Sequence, residues 1–148
     1  TVDWDERMAA RKTASFGRAY NYSQISYPDQ PMPEEMLALV DRIEDELGFR
    51  PNNCLLNLYP NGASRMGYHS DQVDILEDGT GVIIVSLGDT RTLRFRKISD
   101  HEKKMDYPLT SGTLLYMDQE VQQDWQHAIP KMKSADPRMS LTFRKLRA

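Results

Sequence analysis

In the segment YHSDQ, His69 and Asp71 stand two positions apart. In an extended chain alternate side chains leave the backbone on one side, so both can aim at one centre. A second imidazole, His127, follows 58 residues after the first, in WQHAIPK. Two imidazoles and one carboxylate form the ligand set that holds Fe(II) on one face and leaves three coordination positions for a co-substrate and oxygen. A chain with three histidines always contains some such arrangement, so taken alone these residues read first as two surface histidines and an aspartate in a turn.

The segment PRMSLTFRKL alternates so that Arg138, Ser140, Thr142 and Arg144 share one face, opposite Met139, Leu141 and Phe143. If the first face meets solvent, the arginines are an ordinary wet edge. If it lines the inside of a barrel, two guanidiniums need anions, and a dicarboxylate supplies them with a bidentate geometry that lysine does not match. In CLLNLY, Asn57 and Tyr59 likewise share a face, opposite Leu56 and Leu58. An amide and a phenol pointing inward can hydrogen-bond a small polar co-substrate.

The elements that must position these groups follow from periodicity. Pro33 to Leu47, PEEMLALVDRIEDEL, predicts a helix: proline at the entry, acids in the first turn, Met36, Leu39, Val40, Ile43 and Leu47 at helical spacing, and Gly48 as the stop. After Gly48 come short β-like runs, CLLNLY, GVIIVSLG, TLRFRK, TLLYM and RMSLTFRKL, separated by NG, DG, GD and SG turn signals. The expected class is mostly β with some α, an antiparallel sandwich or jelly roll. Phe16 to Tyr27 reads as an added hairpin, His101 as a loop residue, and Asp118 and Glu120 as parts of a turn. Trp125 reads as core or as a shield for the histidine two places on. Arg91 and Arg94 read as phosphate contacts or a solvated strand end.

A chain of 148 residues with 39% hydrophobic and 28% charged residues fits one domain with one core and excludes disordered and fibrous classes. Its longest strongly apolar run, Val82 to Val85, is far short of the ~18 residues that span a bilayer. The first residues, TVDWDERMAARK, lack the apolar stretch of a secretory leader. The single Cys54 suits a reducing compartment, so cytoplasm is expected, or nucleus in a eukaryote, and the chain is expected to be a monomer. Residues 1–90 hold seven basic and fifteen acidic side chains, net −8, whereas residues 91–148 hold twelve and seven, net +5. Arg7, Arg11, Lys12 and Arg18 also stand together with no acid between Arg7 and Pro28, so a polyanion can be met at two regions of an otherwise acidic chain.

Taken together, NLYPNG, YHSD, VIIVSLGDTRTLRFR, WQHAIP and RMSLTFR, with its arginines six apart, closely resemble the AlkB family of Fe(II)- and 2-oxoglutarate-dependent dioxygenases in the family's order. RKTASFGRAYNYS resembles the family's substrate-side segment, and the likeness runs from about Arg11 to Leu146. The resemblance implies a double-stranded β-helix (jelly roll) with an N-terminal helix packed on the sheet, in a single domain. About 8–32 would be the substrate-side or lid segment and about 53–146 the jelly-roll core. It implies His69, Asp71 and His127 as iron ligands and Asn57, Tyr59, Arg138 and Arg144 as the 2-oxoglutarate site, with Ser140 on the same face. Arg138 with Tyr59 would hold the distal carboxylate and Arg144 the end nearer the metal. The implied cofactors are Fe(II), 2-oxoglutarate and O2. The implied reaction is oxidative demethylation of N-alkylated bases in DNA or RNA, releasing succinate, CO2 and formaldehyde. Arg11 and Lys12 would meet phosphates, and Phe16, Tyr20 and Tyr22 would stack an extruded base. Repair members often carry an acid two residues after the metal aspartate; here Val73 stands there and Asp74 follows. With the net acidity, this leaves open the same iron chemistry on a protein side chain or small metabolite, and, less favoured, a noncatalytic binding module.

Overall fold

The computed structural model describes Trp4 and residues 11–22, 25–133 and 135–148, with the backbone alone at 20–22 and 25. Strands β1 (Lys12–Gly17), β2 (Tyr20–Tyr22) and β3 (Ile25–Tyr27) precede helix α1 (Glu34–Leu47). Then follow β4 (Asn53–Tyr59), β5 (Met66–His69), β6 (Val82–Gly88), β7 (Arg91–Lys97), β8 (Asp100–Leu109) and β9 (Leu114–Met117). A short helix α2 (Gln119–Asp124) leads into β10 (Trp125–Ile129), and β11 (Arg138–Arg144) comes last.

Helix α1 begins and ends where its sequence directs. Pro33 supplies an extended entry, Glu34 and Glu35 face the positive helix start, and Gly48 closes it at φ +82°, donating its N–H to Glu44 O. Met36, Val40 and Ile43 are buried on one stripe.

A five-stranded sheet runs β1-β4-β11-β6-β9 and a four-stranded sheet runs β5-β10-β7-β8, every paired strand antiparallel. Leu55, Tyr59 and Ile84 from the first sheet pack on Leu93, Phe95 and Ile129 from the second, so the main core lies between the sheets. The outer face of the larger sheet carries Ala14, Phe16, Cys54, Leu56, Ile83, Val85, Leu141 and Phe143, which bury against α1 in a second core. This is the predicted double-stranded β-helix with a helix packed on the sheet.

Four expectations need correction. The 8–32 stretch is more than a lid, because β1 is a strand of the large sheet, pairing Lys12 with Leu58 through to Gly17 with Asn53. The hairpin is confined to β2 and β3. Gly17 ends β1 at φ +84° with its Cα so close to Asn52 O that a Cβ would sit 2.2 Å from it, which only glycine allows. His101 lies in strand β8, which is exposed at every position but Leu109; charges on both faces hid its strand character, and pairing with β7 alone forms it. Asp118 and Glu120 belong to helix α2, where the Asp118 side chain caps the helix by accepting the Val121 N–H at 3.0 Å.

Candidate active site

Strand β5 ends at His69, and β10 runs antiparallel beside it with His127 directly opposite. The two imidazole rings lie 4.3 Å apart between centroids. Asp71, just past β5, reaches both: its Oδ1 is 3.5 Å from His69 Nε2 and its Oδ2 is 3.5 Å from His127 Nε2. One ligand atom from each of the three lies within 4.8 Å of the others. The structure therefore brings together the three residues that the sequence singled out as metal ligands.

Protonation states fit a metal. His69 Nδ1 is 2.8 Å from Gly67 O, and a carbonyl only accepts, so Nδ1 carries a proton and Nε2 is the atom turned toward Asp71. Burial pushes His127 down to about 4, against the pull of Asp71, so its imidazole is neutral at pH 7 and able to ligate. Burial alone would raise the Asp71 carboxyl, but the His69 hydrogen bond and the charge of Arg144 outweigh it and hold the group well below the usual carboxylate range. Two imidazoles and an ionised carboxylate are the donor set for a divalent cation with positions to spare.

A cleft lined by the triad continues inward past Asn57, Tyr59, Arg138, Ser140, Thr142 and Arg144. Register makes this possible. On β11 and β4, Arg138 sits opposite Tyr59 and Ser140 opposite Asn57, so all four side chains project to the same side. Arg138 is 2% exposed and its guanidinium carbon lies 5.1 Å from the Tyr59 ring centre. It donates from Nη2 to Ser86 Oγ at 2.6 Å, while its buried Nε has no hydrogen-bond partner among the described residues. No carboxylate pairs with Arg138 among the described residues, so the inner end of the cleft is positively charged and unneutralised. Arg144 lies at the metal end, its Nη2 3.4 Å from Asp71 Oδ1. A dicarboxylate spanning from Arg138 to the triad matches this charge arrangement.

The substrate-side expectations fare differently. Arg11 is turned inward, 8% exposed, donating from Nε to Asn57 Oδ1 at 2.9 Å and from Nη1 to Arg65 O at 3.3 Å. It buttresses Asn57 instead of facing a phosphate. Phe16 is packed under α1 and 8% exposed, so it has no open face for a base. The family likeness of RKTASFG does not reveal that β1 is buried on both sides. Lys12 is half-buried, and the side chains of Tyr20 and Tyr22 lie outside the described residues. Val73 packs against the main core, and Asp74 is exposed at a turn closed by Leu76 N–H to Val73 O at 3.1 Å. Trp125 is partly buried against the same core. Arg91 is 1% exposed, donating to Ser64 O and Pro130 O at 2.8 Å each, and Arg94 is paired with Asp106, so neither is a free phosphate contact.

Two residues at the site were missed. Ser86 interrupts the apolar run VIIVSLG, a signal available in the sequence. Gln122 contacts Asp71 from α2, and no local pattern marks it.

A fold of two facing antiparallel sheets, with His-x-Asp and His at one end of the cleft and buried arginines along it, defines a metal-dependent oxygenase site. The family model described as the 2OG-Fe(II) oxygenase superfamily matches residues 3–144. The chain belongs to that superfamily. Among its relatives, alpha-ketoglutarate-dependent dioxygenase alkB homolog 3 of Homo sapiens is 36% identical over 97% of this chain and 57% of its own length. DNA oxidative demethylase ALKBH2 of Homo sapiens is 30% identical over 92% of this chain and 56% of its own. The chain thus spans a little over half the length of the curated relatives it matches. The solved structure of OsALKBH1 superposes with a TM-score of 0.71 at 20% identity, covering 92% of this chain and 78% of that one, a likeness of fold. Among the described residues no helix is long and apolar enough to cross a membrane.

Proposed function

We propose that this chain is an Fe(II)- and 2-oxoglutarate-dependent oxidative demethylase of N-alkylated bases in DNA or RNA. The observation that carries this reading is the continuity of one cleft from the His69, Asp71 and His127 cluster to the buried, acid-free Arg138. His69, Asp71 and His127 hold the iron. Arg138 and Tyr59 hold the distal carboxylate of 2-oxoglutarate, and Asn57, Ser140 and Arg144 complete its polar wall. Bound Fe(II) with O2 supplies the oxidation, in which 2-oxoglutarate gives succinate and CO2 and the N-alkyl carbon gains a hydroxyl, leaving as formaldehyde with the restored base. The protein's part is to orient the co-substrate, exclude water around it and present the alkyl group.

Support for a nucleic-acid substrate comes from the relative named a DNA oxidative demethylase and from the basic character of residues 91–148. On the substrate side Lys12 remains as a phosphate contact, with Tyr20 and Tyr22 for stacking. A monomer in a reducing compartment, cytoplasm or nucleus, completes the proposal, and the buried free thiol of Cys54 fits it.

The test is an anaerobic titration of the apoprotein with Fe(II) and 2-oxoglutarate, then addition of oxygen and a panel of N-methylated oligonucleotides, with succinate and formaldehyde quantified. Formaldehyde in step with succinate is expected. Succinate alone would move the substrate to a protein side chain or small metabolite, and neither product would remove the dioxygenase reading. Oligonucleotide affinity should fall steeply with salt, with a shallower slope in Lys12→Ala; an unchanged slope would take Lys12 out of the interface.

A further inference from the structure

Strand pairing fixes His69 and His127 opposite each other, but Asp71 lies beyond the end of β5 and has no ladder partner. Its side chain also turns about a torsion with a broad, roughly two-fold profile. Something else must hold the carboxylate in place.

Gln122 does so. It is 4% exposed, and its Oε1 accepts the Asp71 backbone N–H at 2.8 Å while its Nε2 donates to Asp71 Oδ2 at 3.4 Å. The shorter contact is the firm one, and the longer one bears on the rotation of the carboxylate. The same Nε2 donates to Met117 Sδ at 3.7 Å, so the amide cannot swing away without stranding a donor. A parallel stitch lies beside it, where Ser70 Oγ donates to Trp125 O at 2.8 Å. Helix α2, which carries Gln122, is capped by Asp118 and runs directly into β10, which carries His127. One buried amide thus ties the His-x-Asp segment to the element that delivers the third ligand.

We infer that Gln122 is a positioning residue that presets Asp71 for the metal, so that metal affinity depends on it. The inference rests on the iron-site reading above. A carboxylate already held in its binding orientation loses less freedom when a cation arrives, and partners of ligating side chains typically change metal affinity by about 10- to 100-fold. The competing account is that Gln122 merely fills space with its polar atoms satisfied.

The discriminating experiment titrates the whole chain with Co(II), whose d–d absorption reports ligand geometry, alongside thermal unfolding. If the parent binds no Co(II), the iron-site reading itself falls and this inference with it. Given a parent that binds, Gln122→Met keeps the shape and removes both contacts to Asp71. It should bind Co(II) about 10- to 100-fold more weakly, with an altered band envelope, while remaining folded. Affinity within twofold of the parent and superimposable bands would overturn the inference. Should Gln122→Met fail to fold, Gln122→Ala is judged by the same criteria. If that also fails, the parent decides: Zn(II) binding should slow solvent exchange of the Gln122 side-chain amide protons in NMR, and unchanged exchange would overturn the assignment.

Discussion

The two faces of the five-stranded sheet are built from alternate residues of the same strands and obey opposite rules. Toward α1, Cys54, Leu56, Ile83, Val85, Leu141 and Phe143 form a dry apolar interface. Toward the second sheet, between those residues in sequence, Asn57, Ser86, Arg138, Ser140 and Arg144 are just as buried, yet polar or charged. An apolar face gains stability from each side chain taken out of water, about 1.5–3 kcal/mol for a large aliphatic one. A buried guanidinium without a carboxylate works the other way, because its desolvation is uncompensated. The helix-side face is therefore wholly structural, whereas the cleft-side face, which also contributes Leu55, Tyr59 and Ile84 to the main core, spends part of that stability on a charged recess shaped for an anion.

If that division is right, substitutions on the two faces should separate function from stability. The largest separation is expected at Asp71. Asp71→Ala removes the single carboxylate of the triad, and since loss of an outer partner typically costs 10- to 100-fold, loss of the ligand should cut 2-oxoglutarate turnover by more than ~100-fold. Succinate release at saturating Fe(II) measures it, and a variant within tenfold of the parent would break the triad assignment.

The converse is Ile43→Ala, on α1 and 0% exposed. Leaving a cavity under the helix should cost about 2–5 kcal/mol in urea unfolding, with the 2-oxoglutarate KM unchanged well below the melting temperature. A shift in KM at full folding would show that the two faces are coupled.

Arg138→Met tests the trade directly. Losing a charge-assisted hydrogen bond of about 1.5–3 kcal/mol should raise the 2-oxoglutarate KM by about ten- to a hundredfold. Because the parent buries this guanidinium against Ser86 without an acid among the described residues, Tm should hold or rise. A marked fall in Tm with little change in KM would reverse the roles given to the two faces.

Why some of this was legible in sequence follows from period-two geometry. PRMSLTFRKL and CLLNLY announce two unlike faces because each is polar on alternate residues, and His-x-Asp is the same rule at the metal. The rule fails where both faces of a strand share one environment. β1 is buried on both, with Thr13 0% and Ser15 3% exposed beside Phe16, so no alternation marks it as a strand of the large sheet, and the resemblance that made Arg11 a phosphate contact could not show it turned inward. β8 is exposed on both, so His101, set among charges, read as a loop residue. Gln122 lay beyond reach for another reason: its partner Asp71 is 51 residues away, and a single amide carries no periodicity.

The helix-side face also holds Cys54, 0% exposed. Burial raises its thiol pKa, with only a minor opposing pull from Arg144, so almost no thiolate exists at neutral pH. Neither the ionised form nor the reagent has access while the sheet and α1 stay closed. A maleimide should leave the native protein unlabelled on a timescale that labels it fully in urea. Labelling must then pass through opening of the α1 interface, and when closing outpaces reaction its rate follows the equilibrium population of the open form. Ile43→Ala should accelerate labelling by the factor by which it lowers the folding constant, whereas Arg138→Met, on the opposite face, should not. Equal acceleration by both variants would mean that the sheet opens as one unit and that its two faces do not divide the work.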